Sequence, residues 1–556
     1  METRRSGAAC AVLVSLWCMA GFVTPASAQS VITGTIKDTS GAVMPGVSVE
    51  AASPALIEGS RSAVTDESGQ YRIVDLRPGV YALTFTLQGF NTVKRELELS
   101  SNFTATIDIA LSVGALEESV TVTGSSPVVD VQSNVKQQVL ARDVLDAVPT
   151  ARTIQSIGQL VVGVTLTTPD VGGSRAMQQA YFNVRGTGAS QTVVMVDGLM
   201  TNGMMADGGV QAYHNESMVQ EAVYQTAGGS AETMTSGLNM NLVPKDGGNR
   251  FAGGAKLTKS PSSWQGDNLT QDLRDLGVGA VDSIANFYEW NVEQGGPILK
   301  DKVWFFAAFR KARYDKPIAN TFVTPEGVAF NQGFIQCRDN PGSCEQGVSD
   351  EKMDNPVGRL TWQMSQSSKI SAYMDRAMRF RGHAMGAGDD PLTASVVWNT
   401  PTFSTGSIKY TSTLSPSLLF EAGFSGNRER YDNLYQPGIL AERLTPAWYQ
   451  KVRKEDVSLG TEWNAPSAQL GNYPDRYYLM SAISYVTGAH NVKVGVYDSF
   501  GKYPRYNNAN PTCTRGIRTA RRSVSRFSTR RCAYRRISTP TWVSTPKTRG
   551  ASTSSR

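Results

Sequence analysis

The sequence predicts a mainly β protein with a small antiparallel β-sandwich, a compact mixed α/β segment and an incomplete transmembrane antiparallel β-barrel. In residues 31–112, Val, Ile, Tyr and Phe recur at every second position between clusters of turn-forming residues. From about residue 250 to 510, the same alternation runs through many successive segments with aromatic-rich apolar faces. A chain of 556 residues exceeds one ordinary core, so three or four domains are expected.

Residues 1–28 have the order of a secretory signal peptide. Two arginines precede an apolar run that ends at Pro25, and Ala26-Ser27-Ala28 predicts cleavage after Ala28. The alternative, a membrane-anchoring helix, is disfavoured because the apolar run is short. No later window has about 20 uninterrupted apolar residues, and the mean hydropathy is −0.26. These features argue against a helical inner-membrane protein.

Residues 30–112 are predicted to form the sandwich. The pattern D-x-x-G-Q-Y-R-I-x-x-L-x-P-G-x-Y, from Asp66 to Tyr81, resembles the carboxypeptidase regulatory-like domain. That resemblance implies a transthyretin- or Ig-like β-sandwich without catalytic activity, and the sequence supplies no peptidase zinc-ligand set here.

A strand-prone segment lies in the polar linker 113–130. Its residues Glu118, Ser119, Val120, Thr121, Val122 and Thr123 follow acidic residues and precede Ser, Gly and Pro. Such a segment can add itself as a strand to the sheet edge of another protein. The alternative is that it forms the last strand of the preceding sandwich.

Residues 131–250 are predicted to form a compact mixed α/β unit. Apolar residues from Leu145 to Val161 recur at near-helical spacing, interrupted by Pro149, so one or two short helices are expected. Strand-like segments follow in the rest of the unit.

Residues 251–510 are predicted to form the partial barrel. Trp290 and Val292 alternate with polar residues, as do Leu360 and Trp362. Strands of about ten residues with one apolar face are required for an outer-membrane barrel, and lipid tolerates strands only when every backbone amide is paired. A soluble sandwich or propeller would show the same alternation, but aromatic segments such as VWFFAAF favour the interfacial girdles of a barrel.

Taken together, these motifs resemble a TonB-dependent outer-membrane receptor. The resemblance covers residues 31 to about 505, and its most specific parts are Arg185 to Gly198 and the Gly295 to Phe306 hairpin. It implies that residues 131–250 are the plug domain inside the barrel. It also implies that residues 118–123 are the TonB box, here after an additional domain and not at the mature N-terminus.

The plug motif comprises Arg185, Gly186, Asp197 and Gly198. Together with Gly188, its glycines are expected to occupy tight turns with left-handed backbone angles. A phosphate loop would need Lys followed by Ser or Thr after the glycines, so no chemistry is expected here. Arg185 and Asp197 are hypothesised to pair with inward-facing residues such as Glu289 or Arg359; alternatively, Arg185 is a solvated turn residue.

The cysteines predict one disulfide. Cys337 and Cys344 bracket a short polar turn that would close easily in an oxidising compartment. A metal site is disfavoured because no further cysteine or histidine lies nearby, and the chain has only three histidines. No cofactor is expected.

The last segment, residues 511–556, is anomalous. It contains eleven Arg, one Lys and no acidic residue, so the rest of the chain has a net charge of −6. A basic tail could bind nucleic acid or a membrane surface, but neither suits the end of an exported barrel. Residues 251–510 have room for about half of the roughly 22 strands of a plugged transporter, which favours a shifted reading frame or a truncated gene.

The sequence therefore predicts a non-enzymatic receptor in the cell outer membrane, with its N-terminal domain in the periplasm. Its expected partners are TonB, outer-membrane lipid and an extracellular ligand, for which the resemblance suggests a glycan or a peptide; nucleic acid is not expected. The alternatives are a surface-display or adhesive protein and a non-functional truncated product. A secreted peptidase or glycosidase is disfavoured because HExxH, GxSxG and zinc-ligand motifs are missing from the sequence.

Overall fold

The computed structural model describes most of the chain between residues 30 and 509. Within that range the gaps are residues 54–55, 57–58, 77–78, 100–103, 115–119, 123–135, 149–152, 167–180, 205–213, 230–232, 234, 236, 416, 442–452, 467 and 488–489. The predicted signal peptide, the basic tail, and Glu118, Ser119 and Thr123 lie outside the described residues.

The N-terminal part is a sandwich of two sheets. Its strands are β1 Ser30–Asp38, β2 Ser48–Ala52, β3 Ser60–Val64, β4 Gln70–Leu76, β5 Gly79–Thr86, β6 Val93–Leu99, β7 Thr104–Thr106, β8 Ile109–Leu111 and β9 Val120–Val122. One sheet has the order β4-β1-β7, with β8 also on β1, and the other has the order β3-β2-β5-β6-β9. Apolar residues of both sheets form one core, in which Tyr71 meets Phe85 edge-on at 5.6 Å between ring centroids.

The family motif in this sandwich builds a tight turn before β4. The Asp66 carboxylate accepts hydrogen bonds from the backbone N–H groups of Ser68 and Gln70, each at 2.9 Å. Gly69 follows with φ +71°, and its carbonyl accepts from the N–H of Ile36 at 2.8 Å. The turn therefore joins β4 to β1 through a backbone angle that glycine adopts without steric strain.

The second part, which we call the inner unit, comprises residues 136–244. Its elements are β10 Lys136–Ala141, α1 Arg142–Ala147, α2 Ile154–Gly158, β11 Val164–Leu166, β12 Phe182–Val184, β13 Val193–Val196, β14 Leu199–Met200, β15 Val219–Ala227 and β16 Asn239–Pro244. Five strands form one sheet in the order β10-β15-β16-β13-β14, and β11 pairs with β12. The two short helices lie on either side of the segment that contains Pro149, as the sequence predicts.

The third part is an 11-stranded sheet, which we call the outer sheet. The elements from residue 252 onward are β17 Ala252–Pro261, α3 Gln271–Asp275, β18 Asn286–Leu299, β19 Val303–Phe322, α4 Phe330–Asp339, β20 Gln346–Ser365, β21 Ser368–Ala384, β22 Val396–Ser415, β23 Leu418–Tyr435, α5 Pro437–Ala441, β24 Lys454–Asp456, β25 Thr461–Trp463, β26 Ala468–Asn472, β27 Asp475–Thr487, β28 His490–Lys502 and β29 Arg505–Ala509. Strands β17 to β23 follow one another, β27 and β26 both pair with β23, and β24 and β25 form a separate pair.

The outer sheet does not close on itself among the described residues. Strand β17 pairs only with β18, and β28 pairs only with β27. The prediction of a mainly β fold with a sandwich and an incomplete barrel is confirmed. The expected strand length of about ten residues is wrong, because β19, β20 and β22 have 20 residues each and extend past the length needed to cross a bilayer.

The two ends of the outer sheet differ in their connections. At the short-turn end, the hairpins β18–β19, β20–β21, β22–β23 and β27–β28 turn within a few residues. At the opposite, loop end, residues 323–345 and 436–467 form longer connections that contain helices or small strands, and residues 385–395 form a connection of turns. The sandwich contacts the short-turn end, where its Val31 and Val74 pack against Leu419 of β23.

The outer sheet has a largely apolar outer face and an inner face that carries both polar and apolar side chains. In β20, Leu360 and Trp362 are 44% and 46% exposed, whereas Arg359 and Thr361 are 7% and 1% exposed. The same exposed apolar class includes Val292, Met374, Ile408, Phe424, Leu479, Ile483, Val494 and Val496. The inner face packs against the inner unit, because one buried core contains residues of both, including Val194, Leu242, Phe306 and Val357.

We predict that Gly69→Ala destabilises the sandwich more than Gly41→Ala. Both glycines have positive φ, so each alanine would cost about 1–2 kcal/mol in backbone strain. A Cβ at Gly69 would also lie 2.7 Å from the carbonyl oxygen of Ile36, whereas a Cβ at Gly41 meets no atom within 4 Å. Hydrogen-exchange protection of β1 and β4 in the full chain measures the difference; an equal loss in both variants would contradict it.

Candidate functional site: the junction between the inner unit and the outer sheet

The motif from Arg185 to Gly198 forms two tight turns of the inner unit. Arg185 and Gly186 both have positive φ between Val184 and Thr187, which form a bridge. Asp197 and Gly198 likewise have φ of +53° and +80° and join β13 to β14. Two consecutive residues with positive φ are the signature of a type I′ hairpin, for which Asp-Gly is strongly preferred.

The expectation for Gly188 is wrong. Gly188 does not have positive φ; its carbonyl accepts from the N–H of Gln191 at 3.0 Å, at the start of a single 3-10 turn. The glycine spacing alone did not distinguish this turn from the two left-handed ones.

The Asp197 turn brings its carboxylate against the inner face of the outer sheet. Asp197 pairs with Arg359 of β20, and the same guanidinium contacts Asp246, which follows β16. The hydroxyl of Thr361 also donates to Asp246 at 2.5 Å. The Asp246 side chain is fully buried and that of Arg359 is almost so, so one arginine links two carboxylates away from water.

A second charged group continues this contact along the sheet. Lys409 donates to the carbonyl oxygen of Asp197 at 3.2 Å and pairs with Glu421 at 3.0 Å. Lys493 lies 3.4 Å from the other oxygen of Glu421. These groups with Arg359, Asp197 and Asp246 make three cations and three anions, which we call the charged junction. Its formal charges balance, which is the condition under which buried charges are tolerated.

Neutral hydrogen bonds fix the inner unit elsewhere around the sheet. Ser425 donates to the carbonyl of Met200 at 2.5 Å, and Asn427 donates to that of Thr201 at 3.2 Å. Asn291 of β18 donates to Asn215 at 2.7 Å. Because these partners lie on β18 and β23, the inner unit is held from strands on both sides of β20.

A buried histidine adds a contact that the sequence analysis missed. His214 Nδ1 lies 2.9 Å from the Asp375 carboxylate and 3.2 Å from the Tyr373 hydroxyl. Asn355 donates to the other oxygen of Asp375 at 2.6 Å. The alternation of β21 could have shown that Tyr373 and Asp375 face inward, but no local pattern marks His214 as their partner.

Arg185 does not take part in the charged junction. Its side chain is exposed, and within the described part of the chain it has no ion pair with Glu289 or another acidic residue. The pairing hypothesis therefore applies to Asp197 and Arg359, while Arg185 fits the alternative of a solvated turn residue.

At the loop end, three connections brace one another. Phe330 of α4 stacks on Trp463 at 5.4 Å between centroids, and Asn331 donates to Asp456 at 3.0 Å. The N–H of Glu462 donates to the carbonyl of Gly388 at 3.1 Å. Cys337 and Cys344 form the predicted disulfide, which ties α4 to the residues before β20. We call this arrangement, residues 323–345, 385–395 and 453–466, the loop layer.

Asp389 in the loop layer has an altered acidity. Burial raises its pKa to about 6, and the neighbouring Glu462 adds to the increase. Arg453, which pairs with Glu462 at 2.8 Å, acts in the opposite direction and lowers the pKa of Asp389. The N–H of Gly386 donates to the Asp389 carboxylate at 2.7 Å.

The predicted coupling segment lies on the sandwich where it is described. Strand β9, Val120–Val122, pairs in parallel with β6, and Val120, Thr121 and Val122 are in register with Val93, Lys94 and Arg95. This is the position expected from the alternative in which the segment is the last sandwich strand. Its role as a coupling segment stays a prediction.

Among the described residues, no helix is long and apolar enough to cross a membrane. Likewise, in the described part no three or more His, Cys, Asp or Glu side chains are grouped so that they could hold a metal ion.

Parts of this chain are similar in sequence to known proteins. Residues 31–112 match the carboxypeptidase regulatory-like domain family. Over 366 residues the chain is 29% identical to the TonB-dependent transporter Oar of Myxococcus xanthus. The matched region covers 62% of this chain and 33% of that protein. The chain thus spans about a third of the length of this relative. The relative is a transporter, which fits a non-enzyme.

Solved structures show weaker likeness. The outer membrane transporter YddB from Escherichia coli aligns with a TM-score of 0.49 at 10% identity, covering 66% of this chain and 48% of that one. The siderophore receptor PirA from Pseudomonas aeruginosa aligns with a TM-score of 0.41 at 12% identity, covering 67% and 48%.

We predict that Arg359→Ala loosens the inner unit and that Arg185→Ala does not. Removing Arg359 leaves Asp246 buried without its cation, which typically costs about 3–5 kcal/mol. The side chain of Arg185 is exposed, so Arg185→Ala removes the same residue type without a buried ion pair and serves as the matched control. Hydrogen exchange of β13 and β16 in the full chain measures the effect; equal protection in both variants would exclude the charged junction as the anchor.

We predict that Asp389→Asn stabilises the loop layer at pH 7.5 and has no such effect at pH 4. The folded pKa of Asp389 is raised above its unfolded value near 3.9, so its charged form destabilises the fold increasingly as the pH rises from about 4 to 6. The gain above pH 6 is at most about 3 kcal/mol. Hydrogen-exchange protection factors of residues 385–395 at both pH values test this. A gain of the same size at pH 4 would show that the charge is not its cause.

Proposed function

We propose that this chain takes up a ligand with energy supplied through TonB. In this proposal it has the domain organisation of a TonB-dependent outer-membrane receptor with an N-terminal carboxypeptidase regulatory-like domain. In this proposal the outer sheet is the membrane part, the inner unit is the plug, and residues 118–123 are the TonB box. The sequence relationship to a TonB-dependent transporter supports the assignment.

The observation that carries the proposal is the charged junction. A plug must stay in place at rest and must also rearrange when energy is delivered. A core of apolar contacts alone would resist any movement in proportion to its area. The inner unit shares an apolar core with the sheet, and it also meets the sheet through buried ion pairs and hydrogen bonds, such as Arg359 with Asp246 and Asn291 with Asn215. Water that enters a partly opened lumen can replace the partners in these ion pairs and hydrogen bonds. The polar contacts between the inner unit and the sheet are therefore strong while water is excluded and weak once water has entered.

The ends of the outer sheet support an orientation. Outer-membrane barrels have short periplasmic turns and longer extracellular loops. The sandwich contacts the short-turn end through Val31, Val74 and Leu419, which suits a periplasmic N-terminal domain. The loop layer would then face outside, where its disulfide between Cys337 and Cys344 would be kept oxidised.

The ligand would meet the loop layer and the outer side of the plug. The loop layer has exposed polar groups, among them Glu326, Gln336 and Lys454, that suit hydrogen bonding to a glycan or a peptide. A glycan and a peptide are the two ligand classes that the resemblance implies, because receptors of that family that carry the regulatory-like domain are often associated with uptake of such ligands.

The test is uptake by cells that express the full chain. Fluorescent oligosaccharides and a fluorescent peptide mixture, both too large for porins, should accumulate above cells with an empty vector, and an uncoupler should abolish the gain. Val120→Pro should reduce uptake at least tenfold because proline removes a backbone donor from a pairing strand.

Ser125→Pro is the control, since it places the same residue just outside the predicted TonB box. If both variants took up the probes equally, the box assignment would be wrong. If uptake persisted in the presence of the uncoupler, energy coupling would be excluded.

A further inference from the structure

The outer face of the outer sheet carries a row of basic side chains. In strands β19, β20, β21 and β23, which have described strands on both sides, the most exposed charged residues are all cations: Lys311, Lys352, Arg376 and Arg428. Each lies an even number of residues from an exposed apolar residue of its own strand, such as Leu360 in β20 or Met374 in β21. The four cations therefore lie on the same face as those apolar residues, and we call them the basic row.

The basic row lies at one boundary of the apolar face. Counted from the strand end at the short turn, Lys311 and Arg376 are eight residues along their strands, Arg428 is ten and Lys352 is thirteen. At about 3.3 Å per residue and a tilt of about 40°, these positions are roughly 20–33 Å from the short-turn end. The apolar band of an outer-membrane barrel is about 25 Å tall, so the row lies at its boundary toward the loop end.

The short-turn boundary has a different charge pattern. The β20–β21 turn is Gln366-Ser367 and the β22–β23 turn is Pro416-Ser417, so neither carries a charge. The β18–β19 turn carries Lys300 and Lys302 with Asp301 between them. Exposed cations on four strands are thus a feature of the loop-end boundary.

Two members of the basic row have no carboxylate partner among the described residues. Lys352 Nζ lies 5.9 Å from the centroid of the Phe380 ring. Arg376 donates to the carbonyl oxygen of Pro401 at 3.2 Å. Both contacts hold a side chain in place on the outer face, but neither neutralises its charge.

The other two members have only distant carboxylate partners. Lys311 lies 3.9 Å from Asp354, and Arg428 lies 3.9 Å from Asp475. The Asp475 side chain is 5% exposed and also pairs with Arg430 at 2.7 Å, whereas that of Arg428 is 64% exposed. The acidic groups at this boundary thus lie deeper than the cations, and positive charge is what the outer face presents.

We propose that the basic row binds the phosphate groups of membrane lipids in the leaflet at the loop end. Neighbouring strands are about 4.8 Å apart, so the register places the Cα atoms of Lys311, Lys352 and Arg376 about 8–14 Å from one another. Three long side chains at that spacing can reach one phosphorylated headgroup. The inference rests on one part of the proposed function, namely that the outer sheet is the membrane part.

The alternative is that the four side chains only extend from the apolar face into water. Such a solvated row would not select among lipids. A row that binds phosphate prefers a lipid whose phosphate carries a net negative charge, because basic side chains near a membrane surface attract anionic lipids. Lipid selectivity therefore separates the two.

The test is photocross-linking of the full chain in nanodiscs of phosphatidylcholine. The probe is a trace of phosphatidic acid or of phosphatidylcholine, each with a diazirine near the glycerol. Phosphatidic acid is a net anion, whereas choline balances the phosphate of phosphatidylcholine. Adducts are mapped by peptide mass spectrometry to residues 303–435, which excludes adducts on the basic residues 511–556.

The variant is Lys352→Gln with Arg376→Gln, which leaves no carboxylate of the described residues without its cation. The control is Lys454→Gln with Arg274→Gln. Both control residues are exposed and lie in connections at the loop end, so the control removes the same residue types away from the outer face. The phosphatidylcholine probe shows whether the variant is embedded as the parent is.

We expect the parent and the control to give at least about threefold more adducts with phosphatidic acid than with phosphatidylcholine, and the variant to give equal yields. Equal yields in the parent, or the same loss in the control as in the variant, would overturn the inference. So would loss of the preference in excess inorganic phosphate but not in sodium chloride of the same ionic strength, because a free anion would then be the ligand.

This result is separable from the transport proposal. If neither probe labelled residues 303–435 of the parent, the outer sheet would not be the membrane part, and both proposals would fail. If the lipid preference held while uptake failed, only the transport proposal would be wrong. Uptake with equal labelling by the two probes would reject the lipid inference alone.

Discussion

The contact between Arg359 and its two carboxylates is the interaction on which the arrangement of this protein depends. Arg359 belongs to the outer sheet, while Asp197 and Asp246 belong to a turn and a strand end of the inner unit. The strands β13 and β16 that precede these carboxylates pair in parallel, from Val193–Asn239 to Val196–Leu242. One guanidinium therefore fixes the ends of two paired strands at once, and the position of the whole inner sheet follows.

The remaining contacts are arranged around that point. Glu421, with Lys409 and Lys493, extends the charged junction along the sheet, and amide and hydroxyl groups bind backbone carbonyls further round. Many apolar residues of the outer sheet are exposed on its outer side, whereas others on its inner side, such as Phe306 and Val357, share a buried core with the inner unit. Inside the sheet, polar groups therefore add directional contacts to an apolar core, and water can replace these polar contacts.

The period-two alternation allowed much of the fold to be predicted from the sequence. It assigned the inward direction of Arg359 and Thr361 because side chains on a strand alternate between two faces. The Asp-Gly pair at 197–198 likewise predicted a tight turn through its backbone preference. The failures have one cause. Local patterns do not report distance, so they could not show that Asp246 meets Arg359, that His214 meets Asp375, or that strands such as β20 run to 20 residues.

The predicted coupling segment also shows that a local sequence pattern does not identify a strand's neighbour. Its strand propensity was evident, but propensity did not decide between the sandwich and a separate partner as the neighbour of Val120–Val122. The structure pairs it with β6, through three residues in register. The described residues thus show the pairing with the sandwich, and a pairing with a separate partner stays a prediction.

The balance of three cations and three anions in the charged junction also limits how this sequence can diverge. Losing one charge leaves an unpaired ion in a dry interior, whereas losing an opposite pair together leaves none. A substitution that removes the charge of Arg359 is therefore coupled to one that removes the charge of Asp246, which lies on another element and 113 positions away in the chain. The inner unit and the outer sheet should consequently exchange poorly between distant relatives, because each carries half of a matched set of charges.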